Sequence, residues 1–406
     1  MTIELLSIGD ELLSGQTINT NAATLARALQ KEGFTIDRTA VLPDEEKRLK
    51  AGIQEALDRA SIVITTGGLG PTGDDLTRDV VAEIFDAPLI KDEAVAKDLI
   101  ARFGKDLPTL EDQARIPIDA DVIPNPLGTA PGFIMQGKII VLPGVPSQMV
   151  AMIPAVIDLL KKMTLKRRFV KPLYLSLLSE QAVDPFLRAL EKKHPHTQIG
   201  ICPGYGILSV YVQGEGEKEL LSIREEIASQ FKTHVYSKEE KEIAAALHAW
   251  MIAHKKTVAL AESCTGGHFA ARLTELPGAS DYFLGSVVSY SNEVKEKSLA
   301  VSKGTLKTHG AVSEETALEM AAGAHALTGA DYVFTATGIA GPSGGTKEKP
   351  VGTVWSAIRT PEKTFSGKIP IKGSIKTRSL IVEYTVTYLI ASLYRYLTHQ
   401  IEPYDV

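Results

Sequence analysis

Thr257-Val258-Ala259-Leu260-Ala261-Glu262-Ser263-Cys264-Thr265-Gly266-Gly267 decides how the chain is read. A largely apolar run breaks into small polar residues and paired glycines. Apolar periodicity then resumes in Phe269-Ala270-Ala271-Arg272-Leu273. That pattern predicts a buried strand turning directly into a helix. Ser263 then stands at the turn, and the N–H groups of Thr265, Gly266 and Gly267 face whatever binds there. Helix starts attract phosphate and developing oxyanions, because their N–H groups are unpaired and the dipole is positive. A hydroxyl beside such a pocket is a candidate nucleophile. The same residues also fit a Ser/Thr N-cap ahead of a packed glycine turn.

Two further strand ends carry polar groups downstream. Tyr282 to Tyr290 reads as a strand, and a helix starts at Ser291-Asn292-Glu293-Val294-Lys295. Tyr332 to Thr337 reads as a buried strand opening into Gly338-Ile339-Ala340-Gly341-Pro342-Ser343-Gly344-Gly345. Ser263, Tyr290 with Lys295, and Thr337 thus fall at strand ends. A desolvated lysine has a lowered pKa and can take a serine proton without histidine; the alternative for Lys295 is a solvated charge on a surface helix. His268, His309 and His325 lack a carboxylate at suggestive spacing and read as structural. A helix over Glu239 to Lys255 precedes the opening strand, Val351 to Ile358 is a strand, and Thr377 to Tyr396 a long C-terminal helix.

Residues 1 to about 165 alternate strand and helix: Ile3 to Ile8, then Asn21 to Glu32 at helical period, then strands at Ser61 to Thr66 and Lys138 to Leu142. Repeated β-then-α units predict a parallel, doubly wound sheet with ligands at the carboxyl ends of its strands. Candidates for that rim are Gly9-Asp10-Glu11, the stretch Thr66 to Thr77 and Asn125 to Gly132. Gly67, Gly68 and Gly70 permit close backbone approach to a phosphate, while Asp10, Asp74 and Asp75 offer oxygen ligands to a hard divalent cation. Asp74 and Asp75 also fit simple complements to a helix dipole, and 125–132 also fits plain loop punctuation.

Between these modules, Leu173 to Leu178 and Ile207 to Gln213 read as strands, and Val183 to Lys193 and Glu217 to Phe231 as helices. Thr233 to Tyr236 reads as a last short strand. This small α+β unit follows a KH-type order of elements without the Gly-x-x-Gly clamp of such RNA binders; Gly204-Tyr205-Gly206 is placed between helix and strand. A spacer or dimerisation element is the expectation.

Composition bounds the rest. With 406 residues, 44% hydrophobic and 23% charged, two or three domains are expected. A net charge of −5 leaves no electrostatic footprint for nucleic acid. Two cysteines, Cys202 and Cys264, fit a reducing compartment. No basic-then-apolar leader and no bilayer-length apolar run is read, so a cytoplasmic, membrane-free protein is expected.

The chain resembles the competence/damage-inducible CinA family along nearly its whole length. The resemblance rests on Gly9 to Gly15 with Asn19-Thr20-Asn21, Thr65 to Thr77, Pro143 to Pro146, Ala261 to Gly267, Ser289-Tyr290-Ser291-Asn292, Gly310 to Ser313, and Thr337 to Gly345. It implies three α/β modules: a doubly wound molybdopterin-binding-like domain over 1–167, a KH-like α+β middle domain over 168–240, and a C-terminal amidase domain over 241–406.

The last of these is implied to hydrolyse nicotinamide mononucleotide to nicotinate mononucleotide and ammonia without a cofactor. Ser263 is then the nucleophile, with Tyr290, Lys295 and Thr337 around it. Substrate contacts are assigned to Thr265, Gly266, Gly267, Gly338, Gly341, Gly345 and an arginine, for which Arg378 is the match. The first module is implied to be a metal-dependent ADP-ribose pyrophosphatase. There Asp10, Asp74 and Asp75 serve the cation, and Asn19, Gly67, Gly68, Gly70, Thr72, Gly128 and Thr129 the substrate; a pterin- or nucleotide-binding regulator is the alternative. A homodimer is expected, and a non-catalytic role in DNA uptake or recombination is the rival reading. Two departures stand out. This chain reads Gly373-Ser374-Ile375-Lys376-Thr377-Arg378 where the family often has Gly-Asp-Arg, and Gly73 where many members have lysine.

Overall fold

Strand β1 (Ile3–Ile8) is buried along its whole length, and its side chains alternate between two cores. Leu6 and Ile8 join Leu49, Ile53, Val80 and Val81, whereas Ile3 and Leu5 join Leu25, Leu29, Met149 and Met152. This period of two is what a strand sandwiched between helical layers requires. The computed structural model describes residues 2–163, 167–371, 373, 375 and 377–405. Ser374 and Lys376 of the segment before Arg378 lie outside them. Two units emerge, Met1–Val170 with Gly214–Glu217, and Lys171–Gln213 with Lys218–Val406.

In the first unit the further strands are β2 (Arg38–Leu42), β3 (Ile62–Thr66), β4 (Leu89–Lys91), β5 (Arg115–Pro117), β6 (Asp121–Ile123), β7 (Gly132–Met135) and β8 (Ile139–Leu142). The main sheet runs β2-β1-β3-β8-β7-β6. Helices Thr20–Lys31 and Pro146–Lys162 cover one face, Glu46–Arg59 and Thr77–Ile84 the other. The sheet is doubly wound as expected, but its pairings are parallel only from β2 to β8; β7 pairs antiparallel with β8, and β6 antiparallel with β7. The reason is local. Only 136–138 join β7 to β8, too few for a crossover. Gln136 (φ 49°) and Gly137 (φ 63°) supply the paired positive φ of a tight hairpin turn.

The second unit opens with β9 (Phe169–Ser176), β10 (Gln198–Pro203), β11 (Ile207–Gly214) and β12 (Val235–Ser237), a sheet ordered β10-β11-β9-β12. β10 is absent from the sequence reading, because Pro203 and Gly200 obscure its alternation. Gly204-Tyr205-Gly206 therefore joins two antiparallel strands rather than a helix and a strand. β13 (Val258–Glu262), β14 (Phe283–Val288), β15 (Tyr332–Gly338), β16 (Val354–Arg359) and β17 (Thr364–Lys368) form the second sheet, β14-β13-β15-β16-β17. β13 lies between β14 and β15 and parallel to both. Ala259 and Ala261 face the helix Glu314–Thr328 through Ala317, Met320 and Ala324. Val258 and Leu260 face Leu247 and Met251 of the helix Ile243–His254 and Leu389 and Ile390 of the helix Arg378–His399. Tyr174 and Tyr236 of the first sheet join that same core. No helix among the described residues is long and apolar enough to cross a membrane.

Candidate active site

β13 ends at Glu262, and the chain reverses through Ser263–Gly267 into the helix His268–Thr274. The turn is built on Gly266 and Gly267, whose φ values of 59° and 95° lie where other residues are strained. Ser263 N–H donates to Ala336 O of β15 (2.9 Å), which fixes the serine against the neighbouring strand. β14 lies on the other side, and its carboxyl end leads into the helix Asn292–Leu299, capped by Ser291 on Val294 N–H (3.2 Å).

That helix turns Lys295 inward. Its side chain is 1% exposed, and Nζ lies 2.9 Å from Ser263 Oγ, itself 8% exposed by residue. Nζ also reaches the carbonyls of Ser289 (2.6 Å) and Tyr290 (3.5 Å). Burial lowers the Lys295 pKa below that of an ordinary lysine. Three oxygens, two carbonyls and the serine hydroxyl, thus surround Lys295 Nζ, and no carboxylate is hydrogen-bonded to it among the described residues. Burial pushes the neighbouring Cys264 thiol up to about 12, so it carries no thiolate at neutral pH. The histidines have other partners: His268 meets Glu383 (3.2 Å), His309 meets Glu315 (3.0 Å), and His325 meets Ala330 O (3.0 Å).

Two expectations need correction. The turn does not leave all its N–H groups free: Gly266 N–H donates to Ser263 O (3.1 Å), and Gly267 N–H to Glu262 Oε2 (3.0 Å). Glu262, 1% exposed, also accepts from Phe269 N–H (3.1 Å), Ala270 N–H (3.0 Å) and Ser286 Oγ (3.0 Å). It fills the anion site of the helix start itself, a role missed in the sequence although a carboxylate beside a helix N-terminus is the signal for it. The donors left without an acceptor among the described residues are Cys264 N–H, Thr265 N–H and the buried Thr265 hydroxyl. Nor does Tyr290, expected around Ser263, lie between the serine and Lys295, which meet directly. Its ring is 60% exposed, and its hydroxyl accepts from Arg378 Nη2 (2.8 Å).

Arg378 opens the helix Arg378–His399 and also reaches Gly341 O (3.3 Å). Arg378, Tyr290 and the loop following Gly338 therefore meet. Gly341 sits at φ 76°, where a Cβ would strike Val351. Gly345 packs on Val351 N in the same loop. Thr337 is buried beside the serine turn, with its hydroxyl donating to Ala311 O (2.6 Å). Lys349, unmarked in the sequence, ties this loop to His309 O and Val312 O (both 2.8 Å).

In the first unit, the carboxyl ends of β1, β3 and β8 border a cleft of about 560 Å³. Asn19, Gly67, Gly68, Gly70, Asp74, Asp75 and Thr129 line it, as does Asp44, which the sequence reading missed. Gly67 (φ 117°) lies so close to β1 that a Cβ would stand 2.3 Å from Ile8 O. Thr72 donates to Asp75 Oδ2 through N–H (3.0 Å) and hydroxyl, so Asp75 is turned onto its own loop. Gly128 is held by Asn125 Oδ1 (2.9 Å) and Arg102 (3.1 Å), one residue from the lining Thr129. Asp10 N–H donates to Asp44 Oδ2 (3.0 Å). The Asp44 carboxyl is raised above its ordinary value, first by burial and then by the charges of Asp10, Glu11 and Asp74. Among the described residues no three His, Cys, Asp or Glu side chains form a preassembled metal group.

Residues 240–397 match the "CinA C-terminal domain" family, and residues 4–162 the "Probable molybdopterin binding domain" family. A "Putative competence-damage inducible protein" of Caldanaerobacter subterraneus is 39% identical over 393 residues, which span 93% of this chain and 95% of the relative. A "CinA-like protein" of Fervidobacterium nodosum is 36% identical over 94% and 96% of the two chains. The solved competence damage-inducible protein A of Klebsiella pneumoniae is 35% identical, covering 39% of this chain and 97% of its own, with a TM-score of 0.37. An α/β architecture, a molybdopterin-binding-like first module and relatives matched from end to end converge: this chain belongs to the CinA family.

Proposed function

We propose that the second unit is a serine amidase acting on the carboxamide of nicotinamide mononucleotide. The observation that supports it is the buried Lys295 Nζ, 2.9 Å from Ser263 Oγ. Ser263 Oγ attacks the carboxamide carbon while Lys295 takes its proton. The oxyanion meets the N–H groups of Cys264 and Thr265 together with the Thr265 hydroxyl, rather than those of Gly266 and Gly267. Lys295 returns the proton to the leaving ammonia, and water then cleaves the acyl-serine to give nicotinate mononucleotide. Arg378, oriented by Tyr290 and Gly341, supplies a charge-assisted contact for the substrate phosphate. Ammonia release from nicotinamide mononucleotide tests the proposal; a purified, folded chain that releases none refutes it.

We further propose ADP-ribose pyrophosphatase activity in the first unit. Asp44 supports it, held in its raised state by burial and by three neighbouring carboxylates. A divalent cation takes one or two carboxylates together with waters and substrate phosphate oxygens, and Asp44, Asp10 and Asp74 fit that demand without a preassembled cage. When bound, the cation neutralises charge on the pyrophosphate. Asn19 and Asn21 line the same cleft, where their amides tie the start of the helix Thr20–Lys31 to Ser7, Thr66 and Gly144.

A further inference from the structure

Along 309–312, which overlaps the stretch Gly310 to Ser313, each successive carbonyl accepts from a side chain. Lys349 Nζ donates to His309 O and Val312 O (both 2.8 Å). Gly310 O accepts from Ser313 Oγ (3.0 Å) and Thr316 Oγ1 (2.9 Å), and Ala311 O from Thr337 Oγ1 (2.6 Å). Backbone carbonyls outside a ladder need partners of this kind. Thr337 follows Ala336, which pairs with Glu262 across the sheet and accepts from Ser263 N–H, so this segment lies against the strand that carries the serine turn's neighbour. Lys349 comes from elsewhere, the loop between β15 and β16.

That loop is exposed from Pro342 to Glu348. It closes on itself through Thr346 N–H to Lys349 O (2.9 Å), Lys349 N–H to Thr346 Oγ1 (3.1 Å) and Gly352 N–H to Ile339 O (2.8 Å). Among the described residues, Lys349 Nζ makes the hydrogen bonds that join 342–350 to a segment outside 339–353. The outgoing arm carries Gly341, whose carbonyl accepts from Arg378 Nη1 (3.3 Å). Gly341 packs on the returning arm, where a Cβ would stand 2.6 Å from Val351, two residues beyond Lys349. We propose that Lys349 is a positioning residue of the amidase site, and this rests on the amidase reading. It clamps the loop to 309–312, which keeps Gly341 O in place as an anchor for Arg378, and it touches no reacting atom. Its loss therefore falls on substrate binding and leaves proton transfer alone.

Hydrogen exchange and kinetics of the full chain test the two halves of the proposal separately. In Lys349→Met, the amides of Thr346 and Gly352 should exchange about tenfold faster or more, as local opening demands, with the global unfolding midpoint unchanged. KM for nicotinamide mononucleotide should rise about tenfold, the order expected for two lost hydrogen bonds, with kcat and its pH profile unchanged. Lys349→Arg, which has donors for both carbonyls, should restore protection and KM. If Lys349→Met does not fold, Lys349→Gln takes its place. Unchanged exchange in the variant overturns the clamp whatever the activity. Faster exchange with an unchanged KM, or a fall in kcat at unchanged KM, overturns the positioning role. A wild-type chain that releases no ammonia removes the amidase reading and Lys349's place in it, while exchange still upholds or overturns the clamp.

Discussion

The serine turn and the acid-lined cleft occupy the same topological place, the carboxyl edge of a largely parallel sheet, and they are prepared in opposite ways. At the serine turn the buried ionisable groups have hydrogen-bond partners: Glu262 three N–H groups and a hydroxyl, Lys295 two carbonyls and Ser263. In the cleft, carboxylates stand near one another, and Asp44 is raised first by burial and then by the charges of Asp10, Glu11 and Asp74. On the proposed reading, acyl transfer with lysine as the base would need only protein groups, so such a site can be complete before substrate arrives. Under the proposed pyrophosphatase reading, the substrate would bring further negative charge, and a cation bound with it would supply the positive charge that the cleft lacks.

The widest gap between the two sites is expected from Ser263→Ala, which should lower ammonia release by a factor on the order of 10³ or more and leave ADP-ribose hydrolysis intact. Cys264→Ala should keep most amidase activity, because its thiol is buried and protonated. The reverse pattern in ammonia assays moves the nucleophile to Cys264.

Lys295→Arg should cost about a hundredfold or more in kcat, since the guanidinium stays charged and cannot serve as a base. Burial lowers the Lys295 pKa, so wild-type kcat should rise as pH climbs through that lowered value and level off above it. Stability follows the same sign. Between the lowered folded pKa and the ordinary 10.5, the unfolded chain binds the extra proton, so Lys295's contribution grows as pH rises through that window. Unfolding curves of Lys295→Met at several pH values should show a flatter dependence there. A Lys295→Arg chain with near-normal kcat ends the general-base assignment.

Removing divalent cations with EDTA should silence ADP-ribose hydrolysis and spare ammonia release, which would sharpen the contrast chemically. Asp44→Asn should do the same by roughly a hundredfold, more than Asp75→Asn, whose carboxylate is engaged by Thr72. Equal loss of both activities with EDTA removes the metal-free serine mechanism.

How far this contrast was legible in sequence depends on whether the signal was local. β1, β3 and the strand–turn–helix at Ser263 follow from apolar runs ending in glycine, and they lie where periodicity puts them. The contact between Lys295 and Ser263 spans 32 residues, and pattern alone proposed it only as one of two readings. Asp44 escaped notice because its loop follows an ordinary strand with no glycine cluster, and Glu262 because it reads as one more residue of the strand. Glu262 offers a measurable check. Glu262→Gln sets an amide against the N–H donors of a buried helix start, and should cost about 2–3 kcal/mol. A thermal unfolding midpoint within a degree of wild type would show that the helix needs no such cap.

The smallest effect is expected from Tyr290→Phe, and it separates two readings of one side chain. If Tyr290 relayed the serine proton, losing its hydroxyl would cost kcat as much as losing the base. The hydroxyl instead accepts from Arg378 at 2.8 Å, on a ring 60% exposed, while Lys295 reaches Ser263 without it. What Tyr290 contributes is the direction of a guanidinium, which already has a second anchor in Gly341 O. Exposed hydrogen bonds of this kind are worth about 0.5–1.5 kcal/mol, and the loss falls on phosphate binding rather than on proton transfer. KM for nicotinamide mononucleotide should therefore rise a few-fold, with kcat and its pH profile unchanged. A hundredfold fall in kcat at unchanged KM would put the phenol back into the proton path, and would make the completeness of the serine site depend on a solvent-exposed group.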